Sequence, residues 1–471
     1  MKLLHFMVLV TALVLLPEST SADCTFNLDT SSPANPPHLV DSFGKIIQPT
    51  LQNNVRIITL TENQVVTVAC EGNNNVLTAT NMQINSGECA TAGSSLLIGT
   101  QNLEYGSLGS FGKIIQPTLQ NNVRIITLTE NQVVTVACEG NGNVLTATNM
   151  QINSGKCATA GSSLLIGTQN LEYGSLGCKT VVKETIKETG TCSVGGTHIE
   201  IGWQVSTRFI NQVTICHVKS TANTLYSINT ISGANIAADD KSNLRPSFRK
   251  GGFYVGINVD AGYSQTGQNI SVADIVGSAG LATTYINLSK SYFFARGHLS
   301  PDGDFIDAGS QDASYYYINA APQWQSFNNG NWKSLEFGVR NLAISRGFDL
   351  VIYTGTHEIL TLADINGVQK PIYLAKDSNN NNLLPAPKYF WKVVHDPVTN
   401  TATAVIGINN PHLTTITGAD VFCADVCNQL TWMTWTNRFE ISKGYMFCCT
   451  VESLSNVVAH APNLGNLNLL V

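Results

Sequence analysis

The strongest constraint on this chain is that a 68-residue stretch of it occurs twice. Ser42 to Gly109 recurs as Ser110 to Gly177 with two differences, Asn74 against Gly142 and Glu88 against Lys156. Near-identical sequences obey the same local preferences, so the first third of the chain is a tandem of like units. Each unit holds two β-branched runs, Val55 to Leu60 and Val65 to Cys70 in the first copy, separated by Thr-Glu-Asn-Gln. Such runs read as short antiparallel strands with a cysteine at a strand end. A unit this small needs a staple, and each copy has two cysteines, Cys70 and Cys89 or Cys138 and Cys157. Pairing outward to Cys24 or Cys178 is equally open. The copies contain no histidine, so they read as β-rich accessory modules, residues 42–109 and 110–177.

Upstream, Lys2 precedes an apolar run from Leu3 to Leu16, then Pro17 and the small residues Ser19 to Ala22. A basic start, about 14 apolar residues and a small-residue end make residues 1–22 a cleavable secretory signal. The run falls short of the roughly 20 residues that span a bilayer. A secreted, extracellular product with no membrane contact after signal cleavage is expected, beginning with a segment at residues 23–41. The 12 cysteines agree, being even in number on an oxidising route. Cys423 and Cys427, followed by Cys448-Cys449, could alternatively hold zinc, but disulfides are the favoured reading. Asn269 and Asn287 open glycosylation sequons. The formal charge of −6 is no bulk signature of a nucleic-acid binder, although it permits a local basic patch.

Residues 178–240 form a cysteine-bearing connecting segment with strand-like runs such as Phe209 to Val218. From Lys241 the texture changes, and residues 241–471 read as one further domain. Lys241, Arg245, Arg249 and Lys250 make the densest basic cluster of the chain. A solvated loop and a phosphate-facing rim are equal readings of it. Asn328 to Arg346 reads as a helix: Trp332, Leu335, Val339 and Leu342 recur at spacings of three and four, and Gly347 follows as a stop. Asn328 or Asn331 could cap its start. Phe348 to Tyr353 reads as a buried strand, and the last hundred residues as short strands around Trp432, Trp435 and the paired cysteines.

The chemistry-bearing residues gather around Phe293 to Leu299. His298 ends an extended run just before the turn Pro301-Asp302-Gly303, where a neutral imidazole could take a proton from water. Gly297 beside it permits close backbone approach. On the helix, Glu336 and Arg340 are four apart and can pair. Asn328 lies eight residues before Glu336, and Asn319 precedes Ala320-Ala321-Pro322. An imidazole, two arginines, two amides and a carboxylate suit an anionic substrate and a hard metal ion. Phosphate-binding loops, a nucleophile elbow and H-E-x-x-H are missing. Asp302, Asp304 and Asp307 lack the glycine and terminal glutamate of a calcium loop and read as a turn.

Ala295-Arg296-Gly297-His298-Leu299, then Asn319-Ala320-Ala321-Pro322-Gln323, then Phe327-Asn328-Asn329-Gly330-Asn331-Trp332, Leu335-Glu336 and Arg340 resemble the DNA/RNA non-specific endonuclease family. These are secreted nucleases with a ββα-metal (His-Me finger) site, and the arthropod double-stranded-RNA nucleases are the branch most resembled. The resemblance covers Lys241 to the C-terminus and implies an α+β fold. In that fold a central, mainly antiparallel sheet is flanked by helices, here behind the duplicated β-rich modules. It implies that His298 is the general base and that Asn328 is the one protein ligand of Mg²⁺, with Mn²⁺ a possible substitute. Asn319 matches the amide that helps hold the site, Glu336 the carboxylate that orients metal-bound water, and Arg296 and Arg340 the arginines that steady phosphate charge. Arg245, Arg249 and Lys250 are candidates for substrate binding, and Arg208 joins Arg245 and Arg249 as a candidate for a further phosphate-contacting arginine of the family. Many members carry aspartate where this chain has Ala295.

The implied activity is a secreted, Mg²⁺-dependent, sugar-non-specific endonuclease. It would cut single- and double-stranded DNA and RNA, double-stranded RNA included, and leave 5′-phosphate ends. The alternative is a secreted nucleic-acid-binding protein on a nuclease scaffold with little or no catalysis. A β-repeat adhesion protein is a third reading.

Overall fold

The computed structural model describes residues 114–471 with their side chains, apart from 158–162, 207–208 and 466. The expectations for the leader, for residues 23–41, for the first repeat copy and for the Arg208 side chain fall outside the described residues. Within the second copy, strands occupy Val123–Leu128 and Val133–Ala137, where the β-branched runs lie. They belong to different sheets, the first pairing with Thr118–Gln120 and the second with Ile152–Lys156. Cys138 bonds outward to Cys178, so the staple joins this unit to the segment that follows it. Gln116 donates to Asp307 (3.1 Å), and Arg124 pairs with Asp240 (3.3 Å), which seats the unit against the downstream fold.

A nine-stranded sheet organises the rest. Strands β1 (Thr185–Thr191), β2 (Thr197–Val205), β3 (Arg208–Val218) and β4 (Asn223–Ile231) run as an antiparallel meander, all upstream of Lys241. The chain then leaves the sheet for helix α1 (Gln265–Val276), the strands β5 (Phe294–His298) and β6 (Ala320–Trp324), and helix α2 (Lys333–Arg346). It returns as β7 (Leu350–Ile359), which pairs with β4. Next come β8 (Pro387–Asp396), β9 (Thr401–Ile408) and β10 (Met446–Cys449), each antiparallel to the strand before it. The short β11 (Asn468–Leu469) adds a parallel pairing to β9. The result is a sheet-rich mixed fold with helices. Among the described residues, no helix is long and apolar enough to cross a membrane.

Side-chain alternation divides the core in two. On β8, Tyr389, Trp391 and Val393 point into one apolar layer, with Ile406 and Phe447. Phe390 and Val394 point into the other, where Trp332 and Phe327 of the helical side meet Phe390 at 5.6 and 6.0 Å. The same period explains the adjacent cysteines of β10. Cys448 lies in the helical layer and bonds Cys427; Cys449 lies in the opposite layer and bonds Cys423. All four sulfurs are thereby engaged, which removes the zinc reading.

Helix α2 follows its pattern, burying Leu335, Val339 and Leu342 and ending at Gly347 in the left-handed conformation (φ 72°). Its start differs from the expectation. Asn328–Trp332 form a π-helical turn, and α2 has no side-chain cap. Asn331 instead donates to the carbonyls of Asn437 (2.8 Å) and Gly444 (2.7 Å), so its amide ties two chain segments together.

His217 on β3 is fully buried between Tyr254 and Phe253. The Thr224 hydroxyl donates to Ile318 O (2.9 Å), so its contact with His217 Nδ1 (2.9 Å) makes that nitrogen the donor. Nε2 is left with a bare lone pair and no partner. Burial, helped by Lys219, pushes the imidazole down to about 3 from 6.5. The unfolded chain binds this proton first, so stability is full above 6.5 and falls as pH drops toward 3. Urea melts across that window should steepen by about 1.4 kcal/mol per pH unit for each such proton, and His217→Phe should remove about one proton from the slope. An unchanged slope in that variant would contradict the assignment.

Candidate active site

β5 and β6 form a separate two-stranded ribbon in which His298 pairs with Ala320 and Gly297 with Ala321. A Cβ on Gly297 would collide with the Gln323 side chain, which packs across the ribbon, so this position admits no larger residue without a shift. The chain beyond His298 is locked by Asn319. Its fully buried amide accepts from Ser300 N (3.0 Å) and donates to Ser300 O (2.8 Å) and Ser314 O (2.9 Å). Asn319 therefore fixes where the histidine sits and has no free donor left to reach a substrate.

The His298 ring stands between Phe248 and Tyr315, both at 4.8 Å. Its Nε2 is shielded and has no hydrogen-bond partner. Burial lowers its pKa to about 4; Asp302 opposes the shift and Arg245 adds to it. The imidazole is thus neutral at physiological pH, with one ring nitrogen unprotonated. Asp302, four residues on, accepts from the Tyr315 hydroxyl (2.8 Å) and pairs with Arg245 (3.2 Å).

Arg296 is held by aromatics. Its Nε donates to the Tyr317 hydroxyl (3.0 Å), and its guanidinium lies 5.3 Å from the rings of Tyr263 and Tyr317. Tyr317 donates onward to Asp260 (2.6 Å), whose other oxygen takes Lys250 (2.7 Å). A cleft of about 490 Å³ opens here, lined by Arg245, Arg296, His298 and Asn328, with Phe248 and Tyr315 among its walls. Asn328 opens the π-helical turn; its Nδ2 donates weakly to Gln325 (3.4 Å), so Oδ1 is the atom that could hold a metal ion.

Glu336 and Arg340 lie farther along α2 and do not line this cleft. The expected pairing between them gives way to a bond from Arg340 to Asp304 (3.0 Å), whose other oxygen accepts from Asn229 (3.2 Å). Asp304 is buried in the turn that follows His298, so α2 is bolted to that turn. Glu336 sits in the same charge cluster. Burial pushes its carboxyl up to about 7, against the pull of Lys392 and Arg340 and with a push from Asp304 and Asp302. Lys392 is buried on β8, donates to Thr354 Oγ1 (2.5 Å) and lies 5.5 Å from the Trp332 ring. Burial lowers its own pKa.

The basic cluster divides. Arg245 lines the cleft, and Lys250 is engaged through Asp260. Arg249 pairs with Glu184, donates to Asp312 O and lies 4.1 Å from the Tyr316 ring, away from the cleft. Tyr315, Tyr317, Asp260 and Lys392 had no place in the sequence reading, and Asp302 was read only as part of a turn. Three of them carried a signal: Asp302 follows His298 within a turn, and Tyr315 and Tyr317 belong to a conspicuous run, Tyr315-Tyr316-Tyr317. Among the described residues, Asp425, Cys427 and Cys448 are grouped closely enough to suggest a metal site, but both sulfurs are in a disulfide.

The family model described as DNA/RNA non-specific endonuclease matches residues 195–454, more than half of the 471 residues. The chain belongs to the DNA/RNA non-specific endonuclease family. The match takes in β3, β4 and the whole cleft. The chain is 32% identical over 289 residues to a salivary endonuclease of Lutzomyia longipalpis, covering 60% of this chain and 66% of that protein. It is 31% identical over 179 residues to the salivary protein Tsal1 of Glossina morsitans morsitans, covering 38% and 43%. A salivary endonuclease of Culex quinquefasciatus is 37% identical over 106 residues, covering 22% of this chain and 26% of that one.

In this family member the buried cations set the state of Glu336. Lys392→Met keeps the bulk but removes one of them, so the Glu336 pKa should rise above about 7. The variant should lose less stability than the about 3–5 kcal/mol of a broken buried ion pair, because a protonated Glu336 leaves no buried charge uncompensated. A carbon-13 titration of the glutamate carboxyls checks the first and thermal melting the second; an unmoved Glu336 titration would contradict the coupling.

Proposed function

We propose that the protein is an exported endonuclease that hydrolyses the phosphodiester bonds of DNA and RNA, double-stranded RNA included. The observation that carries this reading is the neutral, unpartnered His298 Nε2 in a cleft shared with Arg296, Arg245 and Asn328. Family membership and the salivary names of the relatives support it, and with the N-terminal leader they support export.

In the proposed reaction the phosphate lies against Arg296, whose charge is presented by the Tyr317–Asp260–Lys250 chain of contacts. His298 Nε2 takes a proton from a water, and the oxygen of that water attacks phosphorus opposite the 3′-oxygen. The phosphorus–3′-oxygen bond breaks and the departing oxygen takes a proton from solvent water, leaving a 5′-phosphate and a 3′-hydroxyl. Asn328 would hold Mg²⁺, with Mn²⁺ as substitute: one amide oxygen at an open cleft suits a hard cation that keeps most of its waters. When bound, the cation supplies charge neutralisation for the phosphate and the departing oxygen. Glu336, on the same helical segment but outside the cleft lining, adds a carboxylate beside the site, and Lys392 and Arg340 favour its ionised form. Arg340 acts through Asp304, fixing the turn behind His298. Arginine and amide side chains line the cleft, in keeping with recognition of the backbone.

Digestion of long duplex RNA and duplex DNA under Mg²⁺ titration is expected for the wild type. His298→Ala should be slower by about 10²–10⁴-fold, the usual worth of a general base. Equal cleavage by both would remove His298 from its role. Binding in gel shifts without cleavage at any Mg²⁺ or Mn²⁺ concentration would instead identify a binding protein on this scaffold.

A further inference from the structure

A second hollow, of about 560 Å³, adjoins the cleft, and its walls include Lys290, Tyr292, Gln325, Asn329 and Lys443. Two segments join it to the chemistry. Lys290 to Tyr292 run straight into Phe293 to His298 of the cleft, and Gln325 and Asn329 flank Asn328. Among the described residues, no carboxylate pairs with Lys290. Lys443 meets Glu440 at 3.2 Å, but both side chains are more than two-fifths exposed, so the pair is weak and open to exchange. Ser326 Oγ, also in the lining, has no hydrogen-bond partner.

The hollow is built rather than incidental. Asn331 clamps the segment carrying Lys443 through the carbonyls of Asn437 and Gly444. Gly330 lets Lys443 O approach, since a Cβ there would lie 2.7 Å from that oxygen. Lysines, amides and hydroxyls contact phosphates and sugars, which carry no base identity. Lys290 stands eight residues from His298, at most about 26 Å along an extended chain. Backbone phosphates repeat every ~3.4 Å along each strand of a duplex, so a bound strand reaches the hollow within about eight nucleotides of the cleft.

We propose that this hollow is a subsite for the phosphate–sugar backbone of the strand leading away from His298, in DNA or RNA alike. The proposal rests on the nuclease reading. Its test is equilibrium binding of the full chain to a long DNA duplex and a long RNA duplex in EDTA, as a function of NaCl. The double variant Lys290→Gln/Lys443→Gln should reduce the slope of log K against log[NaCl] by about 1.8, at about 0.9 for each phosphate no longer neutralised, with melting temperature retained. Affinity at physiological salt should drop about tenfold. Lys187→Gln/Lys376→Gln, at positions that line neither cavity, should leave the slope alone. A slope unchanged in the first variant, or lowered equally in the second, overturns the subsite. Failure of the wild type to cleave in Mg²⁺ would overturn the nuclease reading instead, and the binding slopes read the subsite independently of it.

Discussion

The ion pair between Arg340 and Asp304 is the contact on which the site's geometry depends. It joins the helix carrying Glu336, and upstream of it Asn328, to the turn that begins just after His298. Both partners are largely withdrawn from water, where an ion pair is a poor source of net stability. What such a pair does supply is an exclusive register. Asp304 takes Arg340 on one oxygen and Asn229 of β4 on the other, so helix, turn and sheet meet at one carboxylate. Lys392 and Glu336 complete the cluster with one cation and one acid. Their coupling makes the ionisation of Glu336 a property of the whole packed layer rather than of α2 alone.

Around this frame, aromatic rings substitute for charge. Arg296 has Tyr263, Tyr317 and Phe248 about it, and His298 has Phe248 and Tyr315. Rings desolvate both groups, yet with opposite consequences. A guanidinium keeps its charge in any such setting and gains attraction to the ring faces. An imidazole gives up its proton, which is the state a base requires. The same Phe248 therefore serves both a permanent cation and a neutral acceptor.

Much of this was legible in the residues. The apolar spacing of α2, its glycine stop and the order Arg296, His298, Asn319, Asn328, Glu336 were all readable, because each depends on local periodicity or on a motif. The partners of those residues were not. Asp302, Tyr317 and Lys392 act through contacts that cross the fold, and no local pattern marks a lysine on a buried strand as facing a helix. Arg249 shows the reverse limit: within a basic cluster, one residue faces the cleft and another faces Glu184, and only packing decides which.

The disulfides bear on the site as well as on stability. Cys448 and Cys449 point to opposite faces because successive residues of a strand must, so each needs its own partner on its own side. Cys427 answers on the helical face, and the chain between Cys427 and Cys448 is the one that carries Asn437, Lys443 and Gly444. Asn331 holds that loop by two carbonyls, one turn into the segment that Asn328 opens. The amide that faces the cleft is thus braced from behind by a loop that the Cys427–Cys448 disulfide closes covalently. Asn331 spends its amide donors on that loop, and the helix begins with a π-turn and no side-chain cap.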